Sequence, residues 1–245
     1  MREKKRTQFG APRRHYATTD STNTRARELA AAGAPGGTVV TAAEQTAGRG
    51  RQGRTWTAPP GKALLYSALL RPLDERHMML PLAVPLAVCE AAEALRPGLE
   101  CGVKWPNDIL VDGRKLAGVL IEARPRDGWA VIGIGLNLTI AEDEFPKELR
   151  GTATSVFTAD PASGSVRSEA AASILSDRLG AWVETSPDEV LAAWRQRDAL
   201  RGREIAWEGG SGVADGVDER GFLLVRVADG ERVALGAGEV HLTRI

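Results

Sequence analysis

The chain has 245 residues, of which 43% are hydrophobic, so it is long enough to bury the core of one large domain with a small second unit. Lysine plus arginine and aspartate plus glutamate both total 32, which excludes a protein drawn as a whole to nucleic acid or to a membrane surface. The two cysteines and three histidines show neither a disulfide framework nor a zinc-ligand spacing.

The first residues form a locally basic arm, which we place at 1–19. No apolar stretch of the kind found in signal peptides follows it. The longest apolar run, 78–89, contains two prolines and is shorter than the roughly 20 residues that a membrane-spanning helix needs. We therefore expect a cytoplasmic protein with no membrane association.

A short polar stretch, Asp-Ser-Thr-Asn at 20–23, precedes a helical pattern over 24–32 that ends at Gly33. Serine, threonine and asparagine are preferred helix caps, so these side chains have an ordinary structural explanation. Short polar groups at a helix N-terminus can equally bind a polar part of a ligand. The local sequence leaves both interpretations open.

The central feature of the chain is a loop over 48–56, Gly-Arg-Gly-Arg-Gln-Gly-Arg-Thr-Trp, between predicted strands at 38–44 and 63–70. We call it the arginine–glycine loop. Guanidinium groups match carboxylate and phosphate oxygens, and glycines allow backbone N–H groups to approach the same anion. The Gly-x-Gly-x-x-Gly spacing matches the dinucleotide-binding fingerprint, but 55–60 cannot open the helix that this fingerprint requires. An RNA-binding arginine–glycine segment is the other alternative.

The later elements predict an antiparallel meander followed by helices and short strands. A helix over 81–94 should be kinked or delayed by Pro85. Asp112-Gly113 is a strong hairpin signal. The remaining predicted elements are strands over 101–111, 114–123 and 129–138, a polar loop over 139–164, helices over 168–184 and 188–197, and short strands from 202 onward. We expect a main domain over 20–200 and a small C-terminal β-barrel over 201–245.

Several polar residues stand out within this meander. Lys115 begins a strand, where a lysine is usually a solvated edge residue. Asn107 and Asp108 follow Trp105-Pro106 and are candidates for Mg²⁺ or phosphate contact, with turn formation as the simpler explanation. Asn137 ends an apolar strand whose glycines suggest that something flat lies on the sheet. Arginines, a lysine, amides and one carboxylate, without a nucleophile set, favour nucleotidyl transfer.

The motifs together resemble the biotin protein ligases, in the order and spacing of that family. They are Asp-Ser-Thr-Asn at 20–23, Glu-Gln-Thr-Ala and the arginine–glycine loop at 44–56, Lys-Trp-Pro-Asn-Asp-Ile at 104–109, Lys-Leu-Ala-Gly-Val-Leu-Ile-Glu at 115–122 and Gly-Ile-Gly-Leu-Asn at 133–137. The resemblance is to the monofunctional type. It implies an α+β fold with a mixed, largely antiparallel sheet and flanking helices, as in class II aminoacyl-tRNA synthetases, plus an SH3-like C-terminal β-barrel.

The resemblance also implies an activity. Biotin would react with MgATP to give biotinyl-5′-AMP, and a lysine of a biotin carboxyl carrier domain would then accept biotin. Lys115, Arg49 and Arg51 would be catalytic, and Asp108 would contact magnesium. The implied biotin contacts are Ser21, Thr22, Asn23, Gln45, Arg49, Gly50, Arg51, Lys115, Gly118 and Gly133; the implied nucleotide contacts are Arg51, Arg54, Trp56, Asn107, Lys115 and Asn137.

The implied partner is a carrier protein or carrier domain, and a homodimer is a family-level expectation. Repressor-type members carry a DNA-binding domain before the Ser-Thr-Asn motif, so we expect no sequence-specific DNA binding here. Three alternatives remain open: a lipoate-attaching ligase, a nucleic-acid-binding module that uses the arginine–glycine loop, and an interaction module built on the C-terminal barrel.

Overall fold

The computed structural model describes residues 7–158, 164–236, 238 and 240–242. Its main sheet has seven strands in the order β1-β2-β3-β7-β6-β5-β4. The strands are β1 (Arg13–Thr19), β2 (Val39–Gln45), β3 (Ala63–Leu70), β4 (Gly102–Lys104), β5 (Asp108–Val111), β6 (Arg114–Arg124) and β7 (Trp129–Asn137). Only β1 and β2 pair in parallel, and the other neighbours are antiparallel. The predicted mixed, largely antiparallel sheet is thus confirmed.

Helices cover both faces of this sheet. They are α1 (Thr22–Ala31), α2 (Leu80–Leu95), α3 (Gly164–Trp182) and α4 (Pro187–Gln196). Along β3 the side chains alternate: Leu64 and Tyr66 pack into the core that α2, α3 and α4 share, whereas Leu69 packs with α1. The face toward α1 is less completely filled, and the candidate site lies there.

The strands on either side of the arginine–glycine loop and the two long meander strands appear where they were predicted. Two predictions about strands differ from the structure. Residues 13–19, expected to belong to a basic arm, form the edge strand β1, while 1–6 lie outside the described residues. The segment 101–111 is not one strand but a tight hairpin of β4 and β5, because Trp105, Pro106 and Asn107 turn the chain between them.

The prediction that Pro85 delays or kinks α2 is wrong with respect to its start. The helix begins at Leu80 and is assigned without interruption to Leu95. Pro85 lies inside the helix, so the hydrogen bond that its N–H would have donated to the carbonyl of Pro81 is missing, but the loss of this one bond does not end the helix.

One helical stretch, Glu75–Leu95, is long and apolar enough to cross a membrane by length and composition alone. However, 67% of its most apolar window is buried inside the fold. Leu82, Val84, Leu86 and Val88 contribute to the main core. The stretch therefore has the burial of a core helix.

A second, five-stranded antiparallel sheet follows α4, in the order β11-β10-β9-β8-β12. Its strands are β8 (Glu204–Trp207), β9 (Gly210–Val217), β10 (Leu223–Arg226), β11 (Arg232–Leu235) and β12 (Val240–Leu242). Its buried side chains, among them Ile205 and Leu223, belong to the same hydrophobic cluster as the core of the main sheet. The predicted C-terminal β unit is present and is packed on the rest of the chain.

A hydrogen bond joins the turn between β4 and β5 to the turn between β9 and β10 of the second sheet. The indole N–H of Trp105 donates to the carbonyl of Gly221 at 3.1 Å, and Trp105 is buried. Trp105→Phe should therefore lower the free energy of unfolding by about 1 kcal/mol, because the partly buried hydrogen bond to Gly221 is lost while most of the apolar contact remains. Urea denaturation measures this, and Trp129→Phe serves as a matched control in the main sheet. Equal stability of Trp105→Phe and wild type would contradict the prediction.

Candidate functional site

A cavity of about 490 Å³ lies on the α1 side of the main sheet. The N-terminus of α1, the arginine–glycine loop, the β4–β5 turn and strands β6 and β7 surround it, and His241 of the second sheet also reaches it. Every site residue predicted from the sequence lines this cavity: Ser21, Thr22, Asn23, Gln45, Arg49, Gly50, Arg51, Arg54, Trp56, Asn107, Asp108, Lys115, Gly118, Gly133 and Asn137. Their individual roles stay predictions.

The N-terminus of α1 forms the polar end of the cavity. Ser21 is the N-cap residue, but its side chain makes no capping hydrogen bond, so the simple capping explanation fails for it. The backbone N–H and the hydroxyl of Thr22 both donate to Oε1 of Gln45, at 2.7 and 3.0 Å. At Asp20, the residue before Ser21, a hydrogen bond from Arg25 lowers the pKa of the carboxyl group to about 2, and the N–H of Ser21 lowers it further. This end of the cavity therefore has a defined hydrogen-bonding pattern.

Ser67 was missed as a site residue. It lies on β3, is fully buried, and its hydroxyl donates to Oδ1 of Asn23 at 2.6 Å while lying 2.8 Å from the hydroxyl of Thr22. A signal for it exists in the sequence, because Ser67 is the one side chain in Ala-Leu-Leu-Tyr-Ser-Ala-Leu-Leu that is small and polar. A buried polar group needs a partner, and here the partners are the side chains of α1.

Asn23 lies directly against Gly133 on β7. A Cβ added at Gly133 would be 2.7 Å from Cγ of Asn23, which no side chain tolerates without a shift. Nδ2 of Asn23 donates to Oε2 of Glu122 on β6 at 2.8 Å. Glycine at 133 is therefore needed for the approach of α1 to the sheet.

The arginine–glycine loop is folded back on itself as a small hairpin. Arg49 and Thr55 form an antiparallel bridge, and the N–H of Gly50 donates to the carbonyl of Arg54 at 2.7 Å. The turn contains Gln52 and Gly53, whose φ angles of 53° and 76° lie in the left-handed region. The loop thus covers the cavity in an ordered conformation.

At the end of this loop, the indole ring of Trp56 lies on the sheet over Gly118 and Gly135, which pair across β6 and β7. A Cβ at Gly135 would be 2.6 Å from Cζ2 of the ring. This is the flat group that the glycines of β7 indicated. The indole Nε1 is buried and has no hydrogen-bond partner among the described residues, which is unusual for a buried donor.

Lys115 lies at the start of β6 and forms an ion pair with Asp108 of β5, with Nζ and Oδ1 2.6 Å apart. Nζ also lies 5.8 Å from the centroid of the Trp56 ring. Both side chains are only partly exposed, at 37% and 20%, so the pair sits at the cavity wall rather than on the open surface. Lys115 is therefore not the solvated edge lysine of the simpler interpretation.

The amides at the two other predicted positions have structural partners. Nδ2 of Asn107 donates to the carbonyl of Val119, which locks the β4–β5 turn onto β6, and its Oδ1 accepts from Arg51 at 3.4 Å. Nδ2 of Asn137 donates to the carbonyl of Thr154 at 3.0 Å. Turn formation thus accounts for one hydrogen bond of the Asn107 amide. The side-chain amides of Asn107 and Asn137 can each form a further hydrogen bond.

The described residues include no group of three or more histidine, cysteine, aspartate or glutamate side chains that could hold a metal ion. Asp108, predicted as a magnesium contact, is a single carboxylate and is paired with Lys115. Magnesium is commonly held by one or two carboxylates together with substrate phosphates, so one carboxylate fits an ion that a nucleotide brings with it.

Comparisons with known proteins identify the family of this chain. Residues 16–138 match the model of the Biotin/lipoate A/B protein ligase family, and 202–242 match the biotin protein ligase C-terminal domain. The chain is 37% identical over 242 residues to a biotin--[acetyl-CoA-carboxylase] ligase of Mycobacterium tuberculosis, covering 92% of this chain and 87% of the relative. It is 41% identical over 144 residues to a bifunctional ligase/repressor of Bacillus spizizenii, covering 57% of this chain and 44% of the relative.

A solved structure extends the similarity over the whole fold. The biotin protein ligase from Aquifex aeolicus in complex with biotin and ATP has a TM-score of 0.77 at 29% identity, covering 95% of this chain and 99% of that one. The chain belongs to the biotin/lipoate A/B protein ligase family and carries the C-terminal domain of biotin protein ligases.

Proposed function

We propose that this protein is an ATP-dependent biotin protein ligase, which activates biotin as biotinyl-5′-AMP and transfers it to a lysine of a biotin carrier domain. One observation carries the proposal: a single cavity joins the polar end at Thr22 and Asn23, the cations Lys115, Arg49 and Arg51, and the indole of Trp56. Such an arrangement can hold a polar ring, a carboxylate, a phosphate and a base in one cavity.

The biotin head group is placed at the N-terminus of α1. The ureido ring of biotin carries one carbonyl acceptor and two N–H donors, and this end of the cavity offers hydroxyls of Ser21 and Thr22 with the amides of Asn23 and Gln45. The hydrogen bonds from Thr22 to Gln45 and from Ser67 to Asn23 fix the orientation of both amides before biotin arrives. Such preorganisation lowers the entropy cost of binding.

The cations offset the repulsion between two anions. In the first step the biotin carboxylate attacks the α-phosphorus of ATP, a P–O bond forms, and pyrophosphate leaves. Two unit negative charges 4 Å apart repel by about 4 kcal/mol at an effective dielectric of 20, so the reaction needs positive charge between them. In this proposal Lys115, which lies on β6 at the cavity wall, bridges the biotin carboxylate and the α-phosphate. Arg49 and Arg51 close over both groups.

Trp56 positions the nucleotide. Its indole ring is fixed on Gly118 and Gly135, which leaves its buried Nε1 as a donor for the ligand. Asn107, Asn137 and Arg54 line the same cavity. Asp108 would be the protein contact of a Mg²⁺ ion bound with ATP, which would reduce the charge of the phosphates. We also propose that 20–200 form the catalytic domain and 201–245 the small C-terminal domain.

In the second step the amine of the carrier lysine attacks the acyl carbon of biotinyl-5′-AMP, an amide bond forms and AMP leaves. The arginine–glycine loop shields the mixed anhydride from water until that amine arrives. A homodimer and a cytoplasmic location remain predictions.

The proposal predicts biotin-dependent exchange of labelled pyrophosphate into ATP by the purified protein with Mg²⁺. Exchange reports only the first step, so it needs no carrier protein. Lipoate in place of biotin is the matched control, and it tests the alternative of a lipoate ligase. Exchange with lipoate alone would favour that alternative, and no exchange with either acid would contradict an acyl-adenylate ligase.

The nucleic-acid alternative has less support, because Arg49 and Arg51 contact partners at the site, namely Glu122 beside the cavity and Asn107 in its lining. The barrel interaction-module alternative predicts that adenylation is independent of the second sheet. His241 and Leu242 of that sheet line the same cavity, which favours a contribution of the sheet to the site.

A further inference from the structure

Glu122, near the C-terminal end of β6, accepts hydrogen bonds from three donors in two separate parts of the site. Its Oε2 accepts from Nδ2 of Asn23 at 2.8 Å. Its Oε1 accepts from Nη1 of Arg49 in the arginine–glycine loop at 3.1 Å and from Nη1 of Arg27 on α1 at 3.2 Å. The side chain of Glu122 is 20% exposed, and it lies beside the cavity without being among the residues that line it.

The two carboxylate oxygens serve different neighbours. Through Oε2, Glu122 determines which end of the Asn23 amide faces which partner: Nδ2 points to Glu122, so Oδ1 points to Ser67. Through Oε1, it holds the first arginine of the loop against the sheet. One side chain therefore links the orientation of a head-group residue to the closure of the loop.

The third donor, Arg27, is a second positive charge beside the carboxylate of Glu122. A carboxylate in a partly buried position is costly when it is unpaired. If the loop opens and Arg49 leaves Glu122, Arg27 still neutralises the carboxylate. The loop can thus open and close without leaving an isolated charge behind.

We propose that Glu122 is a positioning residue that couples the head-group end of the cavity to closure of the arginine–glycine loop through Arg49. The coupling to biotin rests on the proposed function, whereas the fastening of the loop in the empty enzyme does not. Glu122 does not contact the reacting atoms; it acts through Asn23 and Arg49. The competing explanation is that Glu122 only anchors α1 to β6 through Arg27.

Hydrogen exchange of the peptide that contains 48–56 distinguishes the two explanations. Wild type, Glu122→Gln and Arg27→Gln are compared, each empty and with biotin at a concentration shown to saturate it. In the empty Glu122→Gln enzyme, loop amides should exchange about five-fold faster, as expected for loss of one partly exposed ion pair. In the same variant, saturating biotin should no longer slow exchange of the loop to the wild-type rate.

The Arg27→Gln variant is the matched control, because it removes a partner of the same oxygen without touching the loop. Its loop should exchange within about two-fold of wild type, with biotin-dependent protection retained, since the contact between Arg49 and Glu122 remains. An anchoring role predicts the opposite, namely similar changes in both variants. If Glu122→Gln does not fold, Glu122→Asp withdraws the carboxylate by one methylene and should speed exchange of the loop in the same direction.

Wild-type loop exchange in the Glu122→Gln variant, empty and with biotin, would overturn the proposal. Failure of the proposed function looks different. In that case biotin would leave the wild-type loop unchanged and no pyrophosphate exchange would occur, while the empty-enzyme comparison would still report whether Glu122 fastens the loop.

Discussion

Lys115→Ala should reduce biotin-dependent pyrophosphate exchange by about 10²–10³-fold, the loss typical when one preorganised charge-stabilising donor is removed from an active site. Lys115 lies on β6 and lines the cavity, and its Nζ is 2.6 Å from Oδ1 of Asp108. Its charge is needed most when the carboxylate and the α-phosphate approach each other. The loss should therefore appear in kcat more than in the KM for biotin or ATP.

Two further variants test whether the loss of exchange is specific to the position and the charge of Lys115. Lys62→Ala removes a lysine that pairs with Glu144 outside the cavity lining, and it should exchange pyrophosphate at close to the wild-type rate. Lys115→Arg retains the charge with a different shape, so it should recover only part of the activity. Thermal unfolding of each variant shows whether the fold is kept. Wild-type exchange by folded Lys115→Ala would exclude the role that we propose for this lysine.

Much of the fold could be predicted because local patterns and tertiary structure agree. Strand β3 reads as an uninterrupted apolar segment and is buried along its whole length. The Asp112-Gly113 pair adopts the positive φ angles, 50° and 74°, that such a hairpin turn requires. In these places the chain has few alternatives that satisfy both the backbone and the burial of apolar side chains.

The predictions that differed concern long-range pairing. Strand β1 carries Arg13, Arg14 and His15, and its order comes from hydrogen bonds to β2, more than twenty residues away. No local sequence pattern indicates that a strand pairs in parallel with a segment so far along the chain. In the same way, Glu122 stands in a recognisable motif, but its partners Asn23 and Arg49 come from elements about a hundred and about seventy residues away. The residue types in the motifs indicated which residues line the cavity. Which side chains contact one another depends on the topology of the sheet, and the local sequence does not specify it.

The glycines of β7 provide the sharpest test of how the cavity is divided. Gly133 and Gly135 lie two residues apart on the same face of one strand, and neither has the positive φ that would make substitution a backbone problem. Their neighbours differ: a Cβ at 133 would meet Asn23, and a Cβ at 135 would meet the ring of Trp56. The same chemical change, one methyl group, can therefore be introduced at either end of the site.

Gly133→Ala should raise the KM for biotin and Gly135→Ala the KM for ATP, each by about 10-fold or more, because displacement of a positioning side chain by about 1 Å can cost as much as 100-fold. The other substrate's KM should change far less in each variant. Steady-state exchange kinetics with each substrate varied in turn measure both constants. Equal effects on both substrates, or the reverse assignment, would show that the cavity is not divided in this way.

A double mutant separates the clash from other effects of the added methyl group. In a Trp56→Ala background the ring that a Cβ at 135 would meet is gone, so Gly135→Ala should add little to the loss already caused by Trp56→Ala. Gly133→Ala, which acts through Asn23, should remain as harmful in that background as in wild type. Additive effects of Trp56→Ala and Gly135→Ala would mean that Gly135 acts on the nucleotide by a route other than the indole. Non-additivity at 135 together with additivity at 133 is the pattern that a head-group end and a nucleotide end require.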